Sequence, residues 1–160
     1  MLGELSQYGL EYVLGNLREH DRAEVEATID MGSARQNAEL LWRIPGPKWE
    51  ARTADNTPAI VGGFSPIWYG LGSGWMWGTE EWDEVALETT NAIRKHILPA
   101  LERNGVRRIE ARAMAGNEKA VRWLKLLDFH QETVTRSFGR GGEDFVLCAR
   151  LTRSTTETTH

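Results

Sequence analysis

The chain has 160 residues and a formal net charge of −4, with 41% hydrophobic and 26% charged residues. That length suits one domain with a full core, the charge lacks the basic footprint of a nucleic-acid binder, and no apolar run approaches the ~18 residues of a membrane span. The single cysteine, Cys148 in FVLCARL, excludes an intrachain disulfide and suits a reducing compartment, and its apolar neighbours argue against a reactive thiolate.

The start, MLGELSQYGLEY, has early acids and no basic-then-apolar run, so it does not read as a signal peptide. YGLEYVL (8–14) reads as a first strand. Asn16 then opens a helix, with Glu19 three residues on in capping-box register. Leu17, Val25 and the nearby alanines give this helix an apolar side; Arg18, Glu19, Arg22, Glu24 and Glu26 give it a wet one. Ser33 and Gln36 repeat the capping pattern for a second helix, which runs to about Trp42 and is stopped by IPGP (44–47). Strands are expected at 48–54 and 58–65, joined by the turn formers Asp55-Asn56-Thr57-Pro58. Inside the second strand, the paired glycines of IVGGF signal a bulge or a close approach. Gly-rich 69–74 leads into a strand WMWG (75–78). Trp82, Val85, Ala86, Thr89, Ile93, Ile97, Ala100 and Leu101 recur at helical spacing, predicting a long helix over about 80–103, kinked by Pro99 and ended by Asn104-Gly105. RRIEARA (107–113) is a strand, 117–127 a helix, and 129–138 and 144–151 two final strands around GRGG. The small polar end, STTETTH, reads as an unfolded tail. Seven tryptophans serve mostly as packing mass, with a minority available to a partner.

The stretch GNEKAVRWLKLLDF (116–129) is the most informative. Asn117 is a sound N-cap; Ala120, Val121, Leu124 and Leu127 form one apolar side; Asp128 tolerates a left-handed end. A capped helix lying on a sheet explains all of this without a ligand. The same stretch, with the order of elements around it, resembles the GNAT superfamily of acyl-CoA-dependent N-acyltransferases. Members carry an Asn, an Ala three residues on, a Tyr or other large residue, then Gly-Phe; here these are Asn117, Ala120, Trp123-Leu124 and Asp128-Phe129. NLREHDRAEV (16–25) and WMWGTEEW (75–82) resemble a subgroup encoded by tailed phages, some of them internal virion or assembly proteins. The resemblance implies an α/β domain of α+β type over residues 1–152, with a polar tail at 153–160. Its sheet would be mixed, mostly antiparallel, of about six to seven strands, with helices on both faces. It implies acetyl-CoA as donor in a cleft between 75–78 and 109–112, met by Trp77, Gly78, Thr79, Asn117 and Trp123. The acceptor would be an amine on a protein or small molecule. Partners would be phage or host proteins, in the host cytoplasm or the virion, with no metal, nucleic acid or membrane involved.

Two departures weigh against activity. Where members place glycines and a base against the donor's pyrophosphate, this chain has Gly78-Thr79-Glu80-Glu81-Trp82-Asp83-Glu84, one glycine and four acids. Helix-start carboxylates are locally favourable but repel a di-anion. The position of the family's proton-donating Tyr is Leu124, which has nothing to donate. Glu110, on the fifth predicted strand, is the one carboxylate placed by analogy as a base; His20, His96 and His130 are isolated and suggest no metal site. Two functions remain open on these residues: an N-acetyltransferase, or a non-catalytic module of the same fold acting in assembly or host takeover through protein binding.

Overall fold

A computed structural model describes residues 2–29 and 32–152. The tail at 153–160 lies outside them.

The first strand, β1, is only Leu2–Glu4. The stretch read as a strand at 8–14 is instead helix α1, Gln7–Gly15. Leu10, Val13 and Leu14 stand at i, i+3 and i+4, which buries them together only on a helix, and the Ser6 side chain accepts from the Gly9 amide to cap it. Asn16 therefore ends α1 rather than opening the next helix; its Nδ2 donates to the Tyr12 carbonyl. Helix α2, Glu19–Thr28, begins without a side-chain cap. Helix α3, Ala34–Arg43, starts with the expected reciprocal box between Ser33 and Gln36.

Strands β2 (Lys48–Arg52), β3 (Pro58–Trp68) and β4 (Leu71–Gly78) form a meander. The two glycines of β3 make room for indoles: a Cβ on Gly63 would sit 2.5 Å from the Trp75 ring, and one on Gly62 2.7 Å from Nε1 of Trp49. The long helix begins two residues later than expected, as α4, Trp82–Ala92. It widens into a π-helical stretch, Ile93–Ile97, and continues as α5, Leu98–Arg103. Pro99 lacks an amide and its ring crowds the carbonyl four residues back; the ladder meets it by widening upstream, with the Leu98 amide reaching Ile93 O. Strand β5 (Arg108–Met114), helix α6 (Glu118–Leu126), strand β6 (His130–Thr135) and strand β7 (Phe145–Leu151) follow in order. Asp128 takes the left-handed conformation, φ 66°, that ends α6.

The seven strands form one mixed sheet in the order β1-β2-β3-β4-β5-β7-β6, antiparallel except for β4 beside β5. One face carries α1, α2 and α3, whose Leu10, Val13, Val25 and Leu41 pack on Val61 and Trp77. The other carries α4, α5 and α6: Val85 packs on Ile60, and Ile93, Leu98 and Leu124 pack on Phe64, Ile109 and Cys148. Cys148 is buried in that second core, and burial pushes its thiol above the ordinary range.

Candidate functional site

The single parallel pair in the sheet is also its break. Strands β4 and β5 pair only at Leu71–Arg108, Gly72–Ile109 and Ser73–Glu110; beyond these, Gly74–Gly78 and Ala111–Met114 diverge. Alternation along a strand decides which backbone groups are left open. The amide of Thr79 turns to β3, bonding Ala59 O, whereas Gly78 turns its amide and carbonyl away from β3. Two residues back, Met76 presents its amide and carbonyl to the same open edge.

Helix α2 lies across the wide end of this notch. Asp21 Oδ2 accepts the Gly78 amide of β4 at 2.8 Å, and Glu24 Oε1 accepts the Met114 amide of β5 at 3.1 Å. Residues three apart on a helix share a face, so one turn of α2 supplies both strands with the partners they no longer give each other. Arg18 closes the arrangement. Its Nε and Nη2 bond Asp21 Oδ2 at 2.9 and 2.8 Å, its guanidinium stacks on the Trp82 ring at 4.0 Å, and its backbone amide bonds Gly78 O at 3.0 Å. Trp82 in turn meets Trp123 edge to face, with centroids 5.9 Å apart, and Trp123 Nε1 donates to Thr90 Oγ1 of α4.

A cavity of about 550 Å³ runs through the notch and is lined from both faces of the sheet, within the range of small-molecule sites. Thr28, Leu41, Trp75, Trp77 and Phe138 line it on the α1–α3 side, and Met76, Ile93, Leu98, Ala120 and Leu124 on the other. Its charged lining is Arg18, His20, Asp21, Glu24, Glu80, Asp83, Arg112 and Lys119. Burial pushes the Glu24 carboxyl up to about 7; the Asp21 charge adds to this, and the Met114 amide, Asn117 and Arg18 pull it back only in part. Burial also raises Asp21, against the pull of Arg18 and the Gly78 amide.

Of the residues expected at a donor site, Trp77, Asn117 and Trp123 line the cavity. Gly78 and Thr79 are buried behind it with their amides already bonded. Asn117 is engaged at both ends: Oδ1 accepts the Ala120 amide at 3.2 Å and Nδ2 donates to Glu24 Oε1 at 3.3 Å. At the start of α4, the Glu81 amide bonds Thr79 Oγ1 and the Trp82 amide bonds Thr79 O, while Glu80, Glu81, Asp83 and Glu84 are exposed. Glu110 is not among the described residues lining the cavity; it sits 3.8 Å from Arg108 and 4.0 Å from Arg112. Leu124 is core. Among the described residues no group of side chains could hold a metal ion, and no helix is long and apolar enough to cross a membrane.

Asp21 and Glu24 are the residues that sequence reasoning missed. Leu17, Asp21, Glu24 and Thr28 recur at i, i+4, i+7 and i+11, the inward stripe of a helix. Carboxylates on such a stripe are errors unless something in the interior needs them.

No family model matches the chain, and no curated protein matches it. Solved structures do. A GNAT superfamily phosphinothricin acetyltransferase from Sinorhizobium meliloti, solved in complex with AcCoA, superposes with a TM-score of 0.72 at 16% identity, covering 99% of this chain and 91% of its own. The ribosomal-protein-S18-alanine N-acetyltransferase from Escherichia coli gives 0.68 at 15%, covering 100% and 98%. A variant of the spermidine N-acetyltransferase from Vibrio cholerae gives 0.68 at 12%, covering 94% of each chain. At these identities the likeness establishes the fold, which is the GNAT fold.

Proposed function

We propose that the protein is an N-acetyltransferase of GNAT type, moving an acetyl group from acetyl-CoA to a primary amine. One observation carries the reading: the notch between β4 and β5 holds a cavity lined from both faces of the sheet. A donor entering from the α4–α6 side and an acceptor entering from the α1–α3 side can meet inside it without either leaving. Holding two reactants in line supplies much of the barrier reduction that such a transfer needs.

The fit to acetyl-CoA is uneven. The open edge at Met76 and the apolar lining of Met76, Ala120 and Leu124 suit the thioester end. The start of α4 suits the pyrophosphate poorly, because its amides are engaged and its side chains are acidic. The cations of the cleft come instead from Arg18, Arg112 and Lys119. When bound, the donor supplies a carbonyl activated as a thioester. The chain's own part is to exclude water, present the β4 edge and seat the amine beside α2. The fold neighbours named for acting on ribosomal-protein alanine and on spermidine leave a protein or a small-molecule acceptor equally consistent with this reading.

The engaged amides favour a second reading, a non-catalytic protein-binding module such as a phage virion, assembly or host-takeover factor. Ile67, Trp68 and Tyr69 at the β3–β4 turn are 52, 66 and 80% exposed and would be its contact surface. Thermal unfolding with and without acetyl-CoA separates the two. Donor at 100 times its Kd stabilises by ~2.7 kcal/mol, and no shift at millimolar acetyl-CoA would contradict the transferase reading.

A further inference from the structure

We infer that Glu24, seated on α2 rather than on the sheet, is the catalytic residue that takes the proton from the acceptor ammonium. The inference rests on the transferase reading above. Glu24 lines the cavity at the point where α2 crosses the notch, between the two diverging strands. Among the described residues both of its hydrogen bonds, from the Met114 amide and from Asn117 Nδ2, arrive at Oε1. Two donors on one oxygen fix the plane of the carboxyl and leave Oε2 to a third partner.

The competing groups are placed less well. Asp21 is spent on the Gly78 amide and on Arg18. Glu110 lies off the cavity between two arginines. His20, 43% exposed at its side chain, lies 3.9 Å from Asp21. The charges facing Glu24 across the cavity are Arg18, His20 and Asp21 from the α2 side, Arg112 from β5, Lys119 from α6, and Glu80 and Asp83 from the start of α4. Burial holds the carboxyl near 7, where a general base works best at neutral pH.

The step balances as follows. The Glu24 carboxylate accepts one proton from R–NH3+. The freed nitrogen lone pair forms the C–N bond to the thioester carbonyl as the C–S bond breaks. The C–S electron pair leaves on sulfur as a thiolate, which takes the second proton lost by nitrogen. Asn117 acts through Glu24 and is a positioning residue.

Isotope-edited NMR of the side-chain carboxyls, with Glu24 assigned by its disappearance in Glu24→Gln, gives a readout independent of turnover. A titration midpoint near 7 is expected, and one below about 5, in the ordinary carboxylate range, would overturn the inference. With acetyl-CoA as donor, and spermidine, 2-phenylethylamine and a peptide beginning with alanine as acceptors, wild-type kcat/KM should rise to a plateau above that midpoint. Glu24→Gln should lower it at least ~100-fold and abolish the rising limb, while Glu24→Asp should keep the limb at reduced height. Gln presents an acceptor oxygen to both Met114 and Asn117, so a purely structural carboxylate would be replaced without loss. An unchanged limb in Glu24→Gln, a limb lost in His20→Asn, or transfer to none of the three acceptors by a protein that binds acetyl-CoA would each overturn the assignment. Failure of acetyl-CoA to bind wild type and Glu24→Gln alike is a different result, which defeats the transferase reading and this inference with it.

Discussion

Two groups of carboxylates contribute to the cavity, Glu80 and Asp83 from the start of α4 and Asp21 and Glu24 from α2, and the chain treats them oppositely. At the start of α4, Glu80, Glu81, Asp83 and Glu84 stand in water beside a turn whose amides are satisfied locally. On α2, Asp21 and Glu24 are withdrawn from water and spent on the amides of two separated strands. The first group costs the fold little and only colours the field a ligand meets. The second replaces sheet hydrogen bonds and carries the desolvation that makes a carboxyl useful near neutral pH. A count of acids along the sequence treats the two groups alike; burial separates them.

Removing a partner from the buried group should cost most. Asp21→Ala leaves the Gly78 amide and the Arg18 guanidinium unmatched, and should lower stability by about 3 kcal/mol in urea unfolding at pH 7. A loss below ~1 kcal/mol would mean that the bridge from α2 to β4 is dispensable.

Glu24→Gln should act in the other direction, and only above a certain pH. The folded carboxyl has its pKa raised from 4.5 to about 7, so the folded state binds the extra proton and wild-type stability falls as pH rises through that window. The variant lacks this titration. It should match wild type near pH 4 and exceed it by up to ~3 kcal/mol at pH 8, measured as the difference between unfolding free energies at the two pH values. Equal pH profiles would place Glu24 with the exposed group.

Trp123→Phe keeps the ring against Trp82 but loses the bond to Thr90, and should cost about 1 kcal/mol. The exposed group should barely register in stability. Glu80→Gln with Glu81→Gln, which keeps an acceptor for the Thr79 hydroxyl, is expected within ~0.5 kcal/mol of wild type, yet should tighten acetyl-CoA several-fold at low salt, with the gain shrinking as ionic strength rises. Unchanged affinity in calorimetric titration would mean that something other than charge limits the donor end.

Much of the sheet could be read in advance because its signals are local. Turn formers at 55–58, a capping pair at Ser33 and Gln36, and an Asn-capped amphipathic helix at 117–127 each declare themselves within a few residues. The misreadings share a cause. YGLEYVL is short and apolar enough to suit either period, and the cap that decides it, Ser6, lies just before the stretch. Reading it as a strand also starts the next helix at Asn16 instead of Glu19; Glu24 reads as wet because it is charged, and the Met114 amide that holds it inside is 90 residues away. Of the residues expected at a donor site, Trp77, Asn117 and Trp123 have side chains that line the cavity. The engagement of the Gly78 and Thr79 amides depends on partners 57 residues away, on α2, and on β3, beyond the reach of spacing.

The transferase reading needs an open β4 edge between two strands that α2 holds apart. Residue-resolved amide hydrogen exchange, with and without acetyl-CoA, addresses it directly. The Met76 amide should exchange fast in the free protein and become protected on adding acetyl-CoA, with the Gly78 and Met114 amides protected throughout. A Met76 amide already protected without ligand, or Gly78 and Met114 amides that exchange as fast as the exposed turns, would contradict it.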